Sequence, residues 1–159
     1  QVAPGAYNLA NALFKQEDGD LIKAEGLARE AIRIIDKSHD AHGFRLGSSC
    51  QLLARILQTQ GKFGDETKES YERSLAIAVR NEGPDGANTA AVNIAIGQFY
   101  YQLAMKQSIL PKKRSQLILT ISNLDEAVRI ESKIQSPTHP NRVAAATLLS
   151  RILSELSNV

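Results

Sequence analysis

Repetition constrains this chain more than any single motif does. Ala31-Ile32-Arg33-Ile34, Leu75-Ala76-Ile77 and Ala127-Val128-Arg129-Ile130 mark the same place in three successive segments, so Ile34, Ile77 and Ile130 are equivalent and their spacings are 43 and 53 residues. The stretch from Gly83 to Ala90 matches that from Ser136 to Val143, again 53 apart, which assigns ten extra residues to the third segment, near 106-115. Units of this size cannot bury an apolar face alone. They stack on their neighbours, and the core runs along the array.

Each unit reads as two helices. Leu9, Ala10, Leu13 and Phe14 recur at helical spacing, Asp18-Gly19-Asp20 breaks the pattern, and Ala24, Leu27, Ala28, Ala31, Ile32 and Ile35 resume it. Leu52, Leu53, Ile56 and Leu57 repeat the layout, with a break at Gln60-Gly61-Lys62 before Tyr71, Leu75, Ala78 and Val79. The third unit runs from Ile96, Phe99 and Leu103 through a longer interruption around Pro111 to Leu117, Ile121, Leu124 and Ile130. A last helix led by Pro140-Asn141 carries Val143, Leu148, Leu149, Ile152, Leu153 and Leu156. The expected organisation is a single domain with repeats at 3-38, 44-82 and 87-135 and a terminal helix at 140-157. Its fold class is an all-α, right-handed α-solenoid of about seven helices.

Composition agrees with that reading. Leu, Ile, Val and Phe make up about a quarter of the 159 residues, enough to fold, and the scarcity of Val favours helix. The net charge of +2 gives little attraction for nucleic acid. No apolar run reaches the ~20 residues that a membrane helix needs, and Gln1-Val2-Ala3-Pro4-Gly5 is no signal peptide. One cysteine makes no internal bridge, which suits a reducing, cytoplasmic setting. The absence of an initiator Met points to a piece of a longer protein.

Leu9-Ala10-x-x-Leu13, Leu53-Ala54-x-x-Leu57 followed by Gln60-Gly61-Lys62-Phe63, Ile96-Gly97-x-x-Tyr100, Tyr71 to Ile77 and His139-Pro140-Asn141 together resemble tetratricopeptide (TPR) repeats, in the long-helix form of kinesin light chains. In that pattern Ala10, Ala54, Gly97 and Ser150 form a column of small residues where paired helices approach, and Leu13, Leu57, Tyr100 and Leu153 fill the next turn.

The resemblance implies a non-catalytic interaction module whose first helices line a concave groove for a peptide or protein segment. Carried over by column, the groove positions are Tyr7, Asn11 and Phe14, then Gln51, Arg55 and Gln58, then Ile94, Gln98 and Tyr101, and finally Thr147, Arg151 and Ser154. Asn8 stands where the family's backbone-binding Asn would be, whereas Leu52, Ala95 and Leu148 occupy its other places. Amides suit a peptide backbone and Arg55 and Arg151 suit carboxylates, so an acidic or polar segment is the expected ligand.

Other readings are weaker. Lys112-Lys113-Arg114 is a short basic cluster that suits an acidic partner or a nuclear address, or is simply a solvated extension. The apolar terminal helix raises self-association. His39, Asp40, His42 and Cys50 lie close in sequence but lack zinc-ligand spacing, and Cys50 beside Leu52 and Leu53 reads as a packing thiol. No cofactor, metal, nucleic-acid or membrane partner is expected.

Overall fold

The computed structural model describes residues 3–38, 43–136 and 138–157. Seven helices and no strand occur among them: α1 (Ala3–Lys15), α2 (Leu21–Lys37), α3 (Phe44–Thr59), α4 (Asp65–Glu82), α5 (Ala87–Lys106), α6 (Leu110–Ile134) and α7 (Pro140–Ser157). None is long and apolar enough to cross a membrane. The chain divides into two compact units, Gln1–Asn81 and Glu82–Val159.

The turns follow from local chemistry. Asp20 caps α2, its carboxylate accepting from the Lys23 N–H at 2.9 Å. The preceding residue must be glycine, since a Cβ on Gly19 would lie 1.8 Å from the Leu13 carbonyl oxygen. At the end of α3, Gly61 takes φ +78, a left-handed conformation that only glycine adopts readily. Its N–H then donates to the Gln58 carbonyl at 3.0 Å and that of Lys62 to the Leu57 carbonyl at 2.9 Å, closing α3 with a Schellman motif.

In the first unit, Ala10 of α1, Ala24 and Ala28 of α2, and Leu52, Leu53, Ile56 and Leu57 of α3 form one buried cluster. Ile35, Leu46, Cys50 and Ile77 form another. Here α3 and α4 come close enough that a Cβ on Gly47 would lie 3.0 Å from Ile77, and the Ser74 hydroxyl donates to the Gly47 carbonyl at 2.9 Å.

The second unit is built on the α5–α6 hairpin, with α7 against α6. Ala104, Leu117, Leu124 and Ile152 form its core, flanked by Tyr101, Ile121, Leu148, Leu149 and Leu156. The expected interruption around Pro111 is not a long loop. Only residues 107–109 separate the two helices, Pro111 sits in the first turn of α6 where a missing N–H does no harm, and the extra length is helical. Consequently α5 and α6 have 20 and 25 residues against 16 and 18 in α3 and α4.

Candidate protein-binding surface

The small-residue column sits where the helices meet. Ala10 and Ala54 are fully buried. Gly97 is buried as well, and a Cβ there would press on Leu124 of α6 at 2.8 Å. The fourth member behaves differently: Ser150 is exposed and Leu153 is 50% exposed, so this face of α7 has no helix upon it among the described residues. The expectation that Leu153 fills a packed turn is therefore corrected. α7 instead buries Ala145 and Ile152.

Within the first unit, Tyr7 and Phe14 lean on the core cluster while Asn8 is exposed and Asn11 and Gln51 are half-buried. The Arg55 guanidinium lies over the Phe14 ring, 5.0 Å from its centroid. Stacking of this kind contributes about 0.5–1 kcal/mol at an exposed site and leaves the guanidinium edge able to receive a carboxylate. Gln58 is held from behind, its Oε1 accepting from the buried Tyr71 hydroxyl at 2.6 Å. Burial pushes the Tyr71 phenol well above its ordinary range, so it stays a donor.

The second unit repeats the arrangement. The Arg151 guanidinium lies 5.5 Å from the centroid of Tyr101, and Gln98 and Thr147 are exposed nearby in sequence on α5 and α7. Tyr101 occupies the Phe14 column and Arg151 the Arg55 column, so the same first-helix pairing is built twice. One participant was not anticipated: Glu155 accepts from the Tyr101 hydroxyl at 3.1 Å. Partial burial together with this carboxylate raises the Tyr101 pKa. The i, i+4 spacing of Arg151 and Glu155 is the signal that would have located it.

Along the second helices and the turns beside them, several charges are paired. Glu25 meets Lys62 and Arg29, and Arg29 also meets Glu66. The Lys62 ammonium, helped by Arg29 and opposed by burial, holds the Glu25 carboxyl down at about 2. Asp36 pairs with Arg73, and Asp85 with Arg129 and Lys133. A cleft of about 530 Å³ lies among Arg29, Arg33, Asp36, Glu66 and Arg73, with Cys50 and Leu53 in its wall, and these arginines already have carboxylate partners.

Cys50 is 1% exposed and burial pushes its thiol up to about 11, the opposite of an activated nucleophile. His39, Asp40 and His42 lie outside the described residues. Among the described ones, no three His, Cys, Asp or Glu side chains are grouped to hold a metal ion.

No family model and no curated protein matches the sequence. Solved structures do match. The TPR-like repeats of a protein described as a kinesin light chain from Podosopora anserina superpose with TM-score 0.75 at 22% identity, covering 94% of this chain and 64% of that one. A single-residue variant of the same protein gives 0.76 at 20%, with 96% and 66% covered. This chain has a TPR-like, kinesin-light-chain-type repeat fold. BtubC (BKLC) from P. vanneervenii has it too, at TM-score 0.64 and 14% identity over 99% of this chain and 65% of that one. The chain thus spans just under two thirds of the length of each of these TPR-like neighbours, and at such identities the likeness is one of fold.

Proposed function

We propose that this chain is a non-catalytic protein-interaction module whose first helices hold an acidic or polar segment of a partner protein. The observation that carries the reading is the recurrence of a guanidinium stacked on an aromatic ring, Arg55 on Phe14 and Arg151 on Tyr101, at equivalent repeat positions. A stacked arginine is oriented before binding, so less side-chain entropy is lost when its edge meets a carboxylate. Exposed Asn8 and Gln98 and half-buried Asn11 and Gln51 supply amides for the ligand's backbone on the same helices. A cytoplasmic setting goes with this reading, because the lone Cys50 is a packing thiol rather than half of a bridge.

The test is binding of peptide arrays and of lysate proteins by the wild-type chain beside Arg55→Glu, Arg151→Glu. Charge-assisted hydrogen bonds contribute about 1.5–3 kcal/mol each, so the double variant is expected to lose acidic ligands by at least ~100-fold. Its helicity should be unchanged, both arginines being exposed, and its stability should fall by no more than about 1–2 kcal/mol from the two lost stacks. Equal capture by both proteins would remove the first-helix surface from consideration.

A second reading, self-association through α7, rests on Val143 at 47% and Leu153 at 50% exposure. Sedimentation distinguishes it. A concentration-dependent dimer abolished by Leu153→Glu supports association, and a monomer at high concentration refutes it.

A further inference from the structure

The tip of the α5–α6 hairpin joins two properties. It is apolar and exposed: Met105 is 43% exposed, Ile109 51% and Leu110 63%, with Pro111 exposed beside them. It is also uniformly cationic. Between Asp85 and Asp125 the sequence contains no Asp or Glu, while Lys106, Lys112, Lys113 and Arg114 all fall at the tip. Arg29, Arg73 and Arg129 have carboxylates at hand, whereas no salt bridge includes Lys112, Lys113 or Arg114 among the described residues.

The tip also stands clear of its neighbour. His139, just before α7, lies 3.7 Å from Glu131, near the end of α6, so α7 runs back along α6 from there. With 18 residues against 25, it is roughly 10 Å shorter at 1.5 Å per residue. Leu156, in the last turn of α7, shares a cluster with Leu117, and in the turns of α6 before Leu117 the side chains of Leu110, Lys112, Arg114 and Ser115 are exposed while Lys113 and Gln116 are half-buried. Three cations in the first turns of a helix oppose its dipole, and no acidic residue occupies that turn to offset them.

We propose that this tip is a peripheral contact for an anionic lipid bilayer. Ile109 and Leu110 enter the interfacial layer, and Lys112, Lys113 and Arg114 pair with lipid phosphates and carboxylates around them. A convex apex with an apolar point and a basic collar fits a flat, deformable surface, whereas a peptide ligand calls for a groove or a sheet edge. Each cation near an anionic leaflet contributes about a factor of five in binding, and the apolar pair adds a term that salt does not screen. Such a contact needs no membrane-crossing helix.

Vesicle flotation with the whole chain tests this, using phosphatidylcholine alone and phosphatidylcholine with 30% phosphatidylserine (~30%, enough for a strongly negative surface). Wild type is expected to float with the anionic vesicles only. Lys112→Gln, Lys113→Gln, Arg114→Gln should weaken this on the order of 100-fold. Independently, Ile109→Ser, Leu110→Ser should weaken it at least ~10-fold with every charge retained. The second variant places a good capping residue at the N-cap of α6, so circular dichroism should show no loss of helix. Equal flotation with both lipids, or undiminished binding by the serine variant, would overturn the proposal. Capture of polyglutamate by the tip without any vesicle binding would overturn it too, in favour of an acidic protein partner.

Discussion

Gly97→Ala isolates the helix approach on which the α5–α6 hairpin depends. In a helix interior, alanine is normally the better residue by about 1 kcal/mol, so propensity alone predicts stabilisation. Packing predicts the reverse. The new methyl would lie 2.8 Å from Leu124 Cγ and 2.9 Å from its Cδ2, closer than carbon atoms tolerate. Leu124 has no exposed surface and is locked among Ala104, Leu117 and Ile152, so it cannot swing aside. Overpacking of this kind costs about 1–3 kcal/mol and here falls near the top of that range, leaving a net loss of about 1–2 kcal/mol. For a unit of this size that lowers the melting temperature by roughly 4–16 °C. Gly26→Ala in α2 is the control, because nothing lies within 4 Å of the added Cβ. It should stabilise by about 0.4–1 kcal/mol. Urea and thermal unfolding of both variants, followed by circular dichroism, give the comparison. If Gly97→Ala stabilises as much as Gly26→Ala does, the close approach does not exist and the small-residue column has lost its physical basis.

Two further outcomes follow from the structure. The Glu25 carboxyl, held near 2 by Lys62 and Arg29, has a lower pKa folded than unfolded, so its stabilisation is present above about pH 4.5 and is lost as pH falls toward 2. The shift bounds this at about 3 kcal/mol, but exposure of both cations reduces it to about 1 kcal/mol; Glu25→Gln should therefore flatten the stability curve between pH 2 and 4.5, and an unaltered curve would refute the pairing. On α7, Ile152→Ala should cost about 2–5 kcal/mol while Leu153→Ser stays within about 0.5 kcal/mol, a contrast that equilibrium denaturation would measure and that equal losses would contradict.

The helical pattern was legible because it depends on periodicity and punctuation. Asp20, Gly61 and Pro111 each mark an end for a local reason: a side-chain cap, a left-handed turn and a tolerated missing N–H. The small-residue column was legible for α1, α3 and α5, whose opposing helices are present. At α7 the same logic put Leu153 inside, where the structure exposes it, because a column position reports only what a residue does when a second helix covers it. The third hairpin failed differently. Within a sequence a proline reads as an interruption, yet at the start of a helix it forfeits only an N–H that would be unpaired anyway, and here the extra residues lengthen the helices.

The candidate surface shows where sequence reasoning stops. Spacing of three or four places Arg55 with Gln51 and Gln58 on one helix face, but it says nothing of which neighbouring helix lies beneath the guanidinium. That depends on the offset between successive first helices, which packing sets. The offset brings Arg55 over Phe14 and Arg151 over Tyr101, each arginine standing one place earlier in its own repeat than the ring does in the repeat before. Because the two pairs arise in separate units from different aromatic residues, they reflect the repeat geometry rather than a chance contact. The units nevertheless differ in charge: Glu155 lies beside the Tyr101 hydroxyl in the second, while no carboxylate is bonded to Phe14 or Arg55 in the first among the described residues. An acidic segment should accordingly engage Arg55 more strongly than Arg151, since at the second position the nearby Glu155 carboxylate repels it.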